Sequence, residues 1–207
     1  MSGLLGLSRL IDGFNARVGK VAAWAIVVAV LVSAINAIVR KLFGQSSNAW
    51  LELQWYLFGA VFMLCASWTL QVNEHIRIDI VSSRLSKRRR DWIDILGHLF
   101  FLFPFVALMV WLSGPFFWRS YASHEVSTNA GGLLIWPAKG LILLGFILLA
   151  LQWASELIKR VAILRGDLED EHGGGGGHLS AAEAEAERLL AELAETERQS
   201  GIVKVET

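Results

Sequence analysis

Four long apolar blocks lie between positions 21 and 155, and they limit what this chain can fold into more than any motif does. Blocks 21–39, 53–72 and 95–118 contain no Asp, Glu, Lys or Arg, and block 133–155 contains only Lys139. A helix needs roughly 20 apolar residues to cross the hydrocarbon layer of a bilayer, and each block reaches or approaches that length. In lipid every backbone N–H and C=O must be paired within the protein, which makes each block a helix. A transmembrane barrel would alternate apolar and polar residues along each strand, and the helices of a soluble bundle would show a polar face. Neither pattern is present. The expected fold is an all-α membrane protein with four transmembrane helices, at about 21–42, 52–72, 93–114 and 133–157.

The flanks read differently. In segment 1–20, Leu4, Leu7, Ile11, Phe14 and Val18 recur at helical spacing, with Arg9, Asp12, Asn15 and Arg17 mostly off that stripe. This predicts an amphipathic helix that lies along the membrane surface or packs on a partner. The first apolar block is longer than a signal-peptide core and no small-x-small pattern closely follows it, so it is expected to be retained. Segment 167–207 is an acidic tail: a glycine run at 173–177, then a stretch at about 180–198 rich in Ala, Glu and Leu. That stretch favours helix, with Ala182, Ala186, Leu189, Leu190 and Leu193 as its apolar stripe. A single helix of that length is marginal alone; it pairs with a copy, docks on a partner or frays. In the third block, Pro104 is expected to kink the helix, and Gly114-Pro115 to loosen or end it.

The net charge of zero hides two opposed halves. Residues 1–166 carry 16 Lys and Arg against 8 Asp and Glu, whereas residues 167–207 carry 3 against 11. Basic residues mark cytoplasmic ends, and they cluster at Arg9, Arg17 and Lys20, at Arg77 and Arg84 with the run Lys87, Arg88, Arg89 and Arg90, and at Lys159, Arg160 and Arg165. With four spans these regions share one side. Arg40, Lys41 and Lys139 dissent and are outnumbered, so both termini are expected in the cytoplasm. Between two spans, the Lys87–Arg90 run reads as a topology signal and not as a nucleic-acid patch. Trp50, Trp92, Trp118 and Trp136 fall near span ends, where an amphipathic ring anchors at the interface.

Catalytic constellations are missing. There is no Gly-rich phosphate loop ending in Lys-Ser/Thr and no Cys/His cluster at zinc spacing. The lone Cys65 permits no intrachain disulfide. A haem between helices needs axial ligands, and only His98 lies inside a span, so no cofactor is expected. Charges within a membrane mark ion or substrate paths. Here Arg40, Glu52, His75, Asp79, Lys139 and Glu156 all sit at span ends. The residues point to an accessory or scaffold subunit and not an enzyme. Two other readings stay open: an oligomeric channel or carrier lined by Ser33, Asn36, Gln54, Ser67 and His98, and a membrane anchor for a redox complex.

The order of polar residues is specific. Asn36-Ala-Ile-Val-Arg40 ends the first span, Trp50-Leu-Glu52-Leu opens the second, and Asn73-Glu-His75-Ile-Arg-Ile-Asp79 closes it. After the third come Glu125-Val-Ser127-Thr-Asn-Ala-Gly131-Gly132-Leu and Trp136-Pro137-Ala-Lys139. From about Ser8 to Arg160 the chain resembles the small four-span subunit of the tripartite ATP-independent periplasmic (TRAP) transporters, the DctQ-like family. The resemblance implies a bacterial inner-membrane protein with two partners: a large, sodium-coupled membrane subunit and a periplasmic protein that captures a small organic acid. The loop motifs resemble the branch associated with mannitol or chloroaromatic compounds; the expected substrate is a small carboxylate or 2-oxo acid. Arg40, Trp50, Glu52, His75, Asp79, Glu125 and Lys139 then become candidates for subunit contact. Arg40 and Glu52 are placed to form an ion pair or meet the large subunit. His75 and Asp79, four apart, share a helical face that caps the second span or bonds the partner. Glu125 orders its loop or meets the periplasmic protein.

Overall fold

A computed structural model describes residues 2–44, 47–72 and 87–168, with the single position 189. His75, Asp79, the glycine run and the tail helix lie outside these residues, as do the side chains of Lys87, Arg88 and Arg90. The elements are α1 (Ser2–Phe43), α2 (Asn48–Val72), α3 (Lys87–Gly97), a π-helical turn (His98–Leu102), α4 (Phe103–Ala122) and α5 (Trp136–Arg165). The segments Gly3–Phe43, Asn48–Val72, Trp92–Ala122 and Trp136–Arg165 are long and apolar enough to cross a membrane. Among the described residues the only extended pairing is an isolated bridge between Val126 and Leu134.

The amphipathic N-terminal stretch and the first span are one unbroken helix of 42 residues. At 1.5 Å per residue α1 is about 63 Å long, roughly twice the hydrocarbon thickness. Part of α1 therefore extends beyond the layer even when tilted.

The third crossing is where proline leaves its mark. Pro104 has no N–H, and its ring crowds the carbonyl four residues back. The turn before it widens: the Phe103 N–H reaches the His98 carbonyl, five residues back. That carbonyl also accepts from the Trp153 indole at 2.8 Å, and Phe103 stacks on Trp153 with ring centres 4.6 Å apart. Gly114-Pro115, expected to loosen or end the helix, does not end it: α4 continues to Ala122 with Pro115 inside. The Arg119 side chain bonds the Pro115 carbonyl at 3.4 Å. The added turns are held to α5, since Tyr121 and Phe117 pack edge-on against Trp136 at 5.4 and 6.5 Å.

α5 is the central helix, in contact with α1, α2, α3 and α4. Small residues permit the approach, as between helices in lipid. A methyl group on Gly145 would lie 2.8 Å from the Met63 backbone oxygen in α2, and one on Gly19 would lie 2.8 Å from Trp68 Cβ. The interior is unusually polar: Ser8, Asn15, Ser67, Gln152 and Ser155 are fully buried, or nearly so. The exterior is apolar, with Trp24, Trp55, Phe62, Phe101 and Trp111 each more than 70% exposed. Water would not tolerate such a surface, whereas lipid tails cover it at no cost.

The cross-helix contacts sort the two ends. Asp12 of α1 meets Lys159 of α5 at 3.1 Å, and Asp94 of α3 meets Arg160 at 3.4 Å. The start of α1, α3 and the end of α5 therefore share one end. At the other end, Asn48 bonds the Ala130 carbonyl at 3.0 Å, so the start of α2 meets the α4–α5 loop.

Candidate functional site

The first turn of α2 delivers Glu52 to the loop that joins α4 to α5. Its carboxylate accepts from the Ser127 hydroxyl, from the Asn129 side-chain amide at 2.7 Å and from the Leu133 backbone N–H at 2.6 Å. Tyr56, one turn further along α2, donates to the Leu134 carbonyl at 3.0 Å. The loop pairs with itself as well, through Ser127 N–H to Leu133 O and Ile135 N–H to Glu125 O, both at 2.9 Å. Folding so tightly needs left-handed backbone at His124 (φ 50°) and Gly131 (φ 70°); glycine adopts that conformation without strain. Gly132 is required for a different reason. A side chain there would lie 2.5 Å from Ser127 Cβ and 2.9 Å from the Glu52 carboxylate.

Beside this knot Glu125 pairs with Lys139, and the Lys139 ammonium also sits 4.2 Å above the Phe116 ring. The hydrogen bond from Lys139 holds the Glu125 carboxyl below its ordinary range. A carboxylate with a lowered folded-state pKa stabilises the fold above its unfolded value. It loses that contribution as pH falls through the folded value. The environment of Trp136 should therefore stay constant around neutral pH and change only in acid, below the ordinary carboxylate range. Intrinsic fluorescence would follow it, and Glu125→Gln should abolish the acid transition. A transition that persists in Glu125→Gln would assign it elsewhere.

The remaining expected contact residues are scattered. Arg40 is exposed at the end of α1 and makes no ion pair with Glu52, whose oxygens are taken by the loop. Trp50, Trp92 and Trp118 are exposed, as interfacial anchors would be, while Trp136 packs against Tyr121. Arg89 is exposed on α3.

A second polar cluster was not anticipated from the sequence. Between α1 and α5, Ser8 meets Ser155 at 2.7 Å, and Asp12 accepts from Ser155 at 2.7 Å and from Gln152 at 2.8 Å. Asn15 donates to Gln152 at 2.7 Å, and Lys159 bridges Asp12 and Glu156. The signal was present, because Ser8, Asp12 and Asn15 fall on one helical stripe, as do Gln152, Ser155, Glu156 and Lys159. Such a stripe reads as a water-facing side in a soluble helix. In a bilayer it turns inward.

Chemically the Glu52 knot is closed, whereas in the α1–α5 cluster Asn15 Oδ1 is buried without a hydrogen-bond partner. Glu52 spends its oxygens on three donors, and Lys159 bridges the two carboxylates of Asp12 and Glu156. Among the described residues no group of three or more His, Cys, Asp or Glu side chains could hold a metal ion. His98 bonds the Asp94 carbonyl through Nδ1 at 2.8 Å. The family model described as "Tripartite ATP-independent periplasmic transporters, DctQ component" matches residues 11–162, which take in all four long apolar helices. A search of curated proteins finds no match.

Proposed function

Starting from the fact that this chain belongs to the DctQ component family of the tripartite ATP-independent periplasmic transporters, we propose that it acts as the non-catalytic scaffold of such a transporter. In this reading it holds a large membrane subunit in the bilayer while that subunit, driven by sodium, imports a small organic acid, a carboxylate or 2-oxo acid, delivered by a periplasmic binding protein. The observation that carries the reading is the inverted polarity of the bundle. Most of its buried polar side chains bond one another or nearby backbone inside, and its outer faces offer apolar area that a second membrane protein can cover. The side chains that a pore would use support this. Ser67 bonds the Leu64 carbonyl and His98 the Asp94 carbonyl, each within its own helix.

The excess of basic residues at the end built from α3 and the α1 and α5 termini supports a cytoplasmic position for it. The Glu52 knot then faces the periplasm, where its rigid loop, with Glu125 at the start, is open to the binding protein. Arg40 and Trp50, exposed at the same end, are free to meet the large subunit, and His75 and Asp79, outside the described residues, are further candidates for that contact. The test is co-expression with a large membrane subunit of this transporter family from the same organism, followed by reconstitution. A stable one-to-one complex is expected in mild detergent. Substrate uptake should need both subunits, with none from this chain alone. Uptake by this chain alone would instead establish the channel reading.

A further inference from the structure

We propose that the acidic segment after α5 folds back on the basic end of the same molecule, where it competes with anionic lipid headgroups. Charge carries the first step. Residues 1–166 have an excess of eight positive charges and residues 167–207 an equal negative excess, so the tail can neutralise the body. Arg40, Lys41, Arg119 and Lys139 lie at the Glu52 end, but the larger share of the positive charge is at the other. Arg9, Arg17, Lys20 and Arg89 are exposed, and all lie at the end where α1 starts, α3 runs and α5 finishes.

Geometry carries the second step. Gly166, in left-handed conformation (φ 79°), caps α5 at that same end. The Asp94–Arg160 bridge joins α3 to α5 at 3.4 Å. Arg89 and the end of α5 each lie about 8 Å along their helices from that bridge. The sixteen residues between Gly166 and Glu183, with five consecutive glycines, span roughly 20–24 Å as a coil. The tail therefore reaches α3 without strain, and tethering keeps it near the surface at about millimolar effective concentration.

α3 itself wants the anion. Its first turn is Lys87-Arg88-Arg89-Arg90 with no acidic residue. Cations there oppose the positive end of the helix dipole, and a neighbouring carboxylate relieves the conflict. The apolar stripe of Ala186, Leu189, Leu190 and Leu193 lies beside the acidic positions and would rest on the bilayer surface next to α3. This inference does not depend on the transported substrate or on the large subunit.

The full chain, in a Cys65→Ser background with spin labels at Ile93→Cys and Ala184→Cys, tests it by pulsed-dipolar distance measurement. In vesicles of neutral phosphatidylcholine at low salt, a narrow short-distance population is expected. It should broaden at ~0.5 M salt, where screening shortens to a few ångströms. It should broaden likewise when Glu183, Glu185, Glu187 and Glu192 are changed to Gln, substitutions that leave the bundle and its topology signal intact. Adding phosphatidylglycerol should displace the tail. A broad distribution at low salt in neutral lipid would overturn the proposal. So would a narrow one indifferent to salt and to the Gln substitutions, because docking would then be apolar. A tail undisturbed by phosphatidylglycerol would overturn the competition with lipid.

Discussion

Replacing Glu52 by alanine is expected to release the α4–α5 loop while leaving the four helices in place. Three donors lose one shared acceptor: the Ser127 hydroxyl, the Asn129 amide and the Leu133 N–H. Ser127 and Asn129 can turn toward water. The Leu133 N–H is fixed by the backbone and cannot, and a polar group left unpaired costs more than the bond itself contributed. Glutamine would be a poor substitute, since its NH₂ would face donors. Amide exchange across 125–135 should accelerate by about an order of magnitude or more, with helical circular dichroism unchanged. Gly132→Ala attacks the same knot from the loop side, because its methyl needs space held by Ser127 and Glu52. Unaltered exchange in both variants would show that the loop is held by its own turn chemistry. If Glu52→Ala also abolishes recovery of the transporter complex while the helices persist, the loop's shape is what a partner reads.

The second large effect belongs to the helix contact at Gly145. Alanine there would place Cβ at 2.8 Å from both the Cβ and the carbonyl oxygen of Met63. Neither atom can swing away as the Met63 Sδ and Cε can, so α2 and α5 must part. Overpacking of this kind costs about 1–3 kcal/mol, which in a chain of this size lowers Tm by several degrees. Gly59→Ala is the control: it lies in α2 with open space around it. Alanine there should be neutral or stabilise by up to about 1 kcal/mol, through the lost backbone entropy of glycine. Equal thermal shifts for the two would mean that the α2–α5 contact does not set stability.

How far these features were legible depends on what each needed. The four helices followed from the apolar blocks, because charge-free runs of that length leave one backbone solution in lipid. The end of α4 did not. Gly114-Pro115 looks like a terminator locally, and the ring contacts of Phe117 and Tyr121 with Trp136 that carry the helix past it are made across 15 to 19 positions. Glu52 stood out as part of a recurring order of residues, yet its acceptor role was hidden, since its donors lie 75 to 81 residues away in the chain. The α1–α5 ladder was misread for a physical reason. Asp12 and Asn15 read as lying off the stripe of Leu4, Leu7 and Phe14, and Ser8 gave no sign of its own, because the habit of turning polar groups outward belongs to water.

That ladder also sets an order of events during synthesis. Asp12 and Asn15 leave the ribosome long before Gln152, Ser155 and Lys159 exist. A gap of some 140 residues lasts roughly 7 to 30 s at about 5–20 residues per second. Through that interval the polar stripe of α1 has only water and headgroups for company, and it would be expensive to bury in lipid. The start of α1 must therefore wait at the membrane surface while the second and third crossings are threaded. It is fastened only when the last helix arrives. Assembly of the bundle is closed by its first and final helices meeting, and a chain cut short before α5 would remain open at that seam.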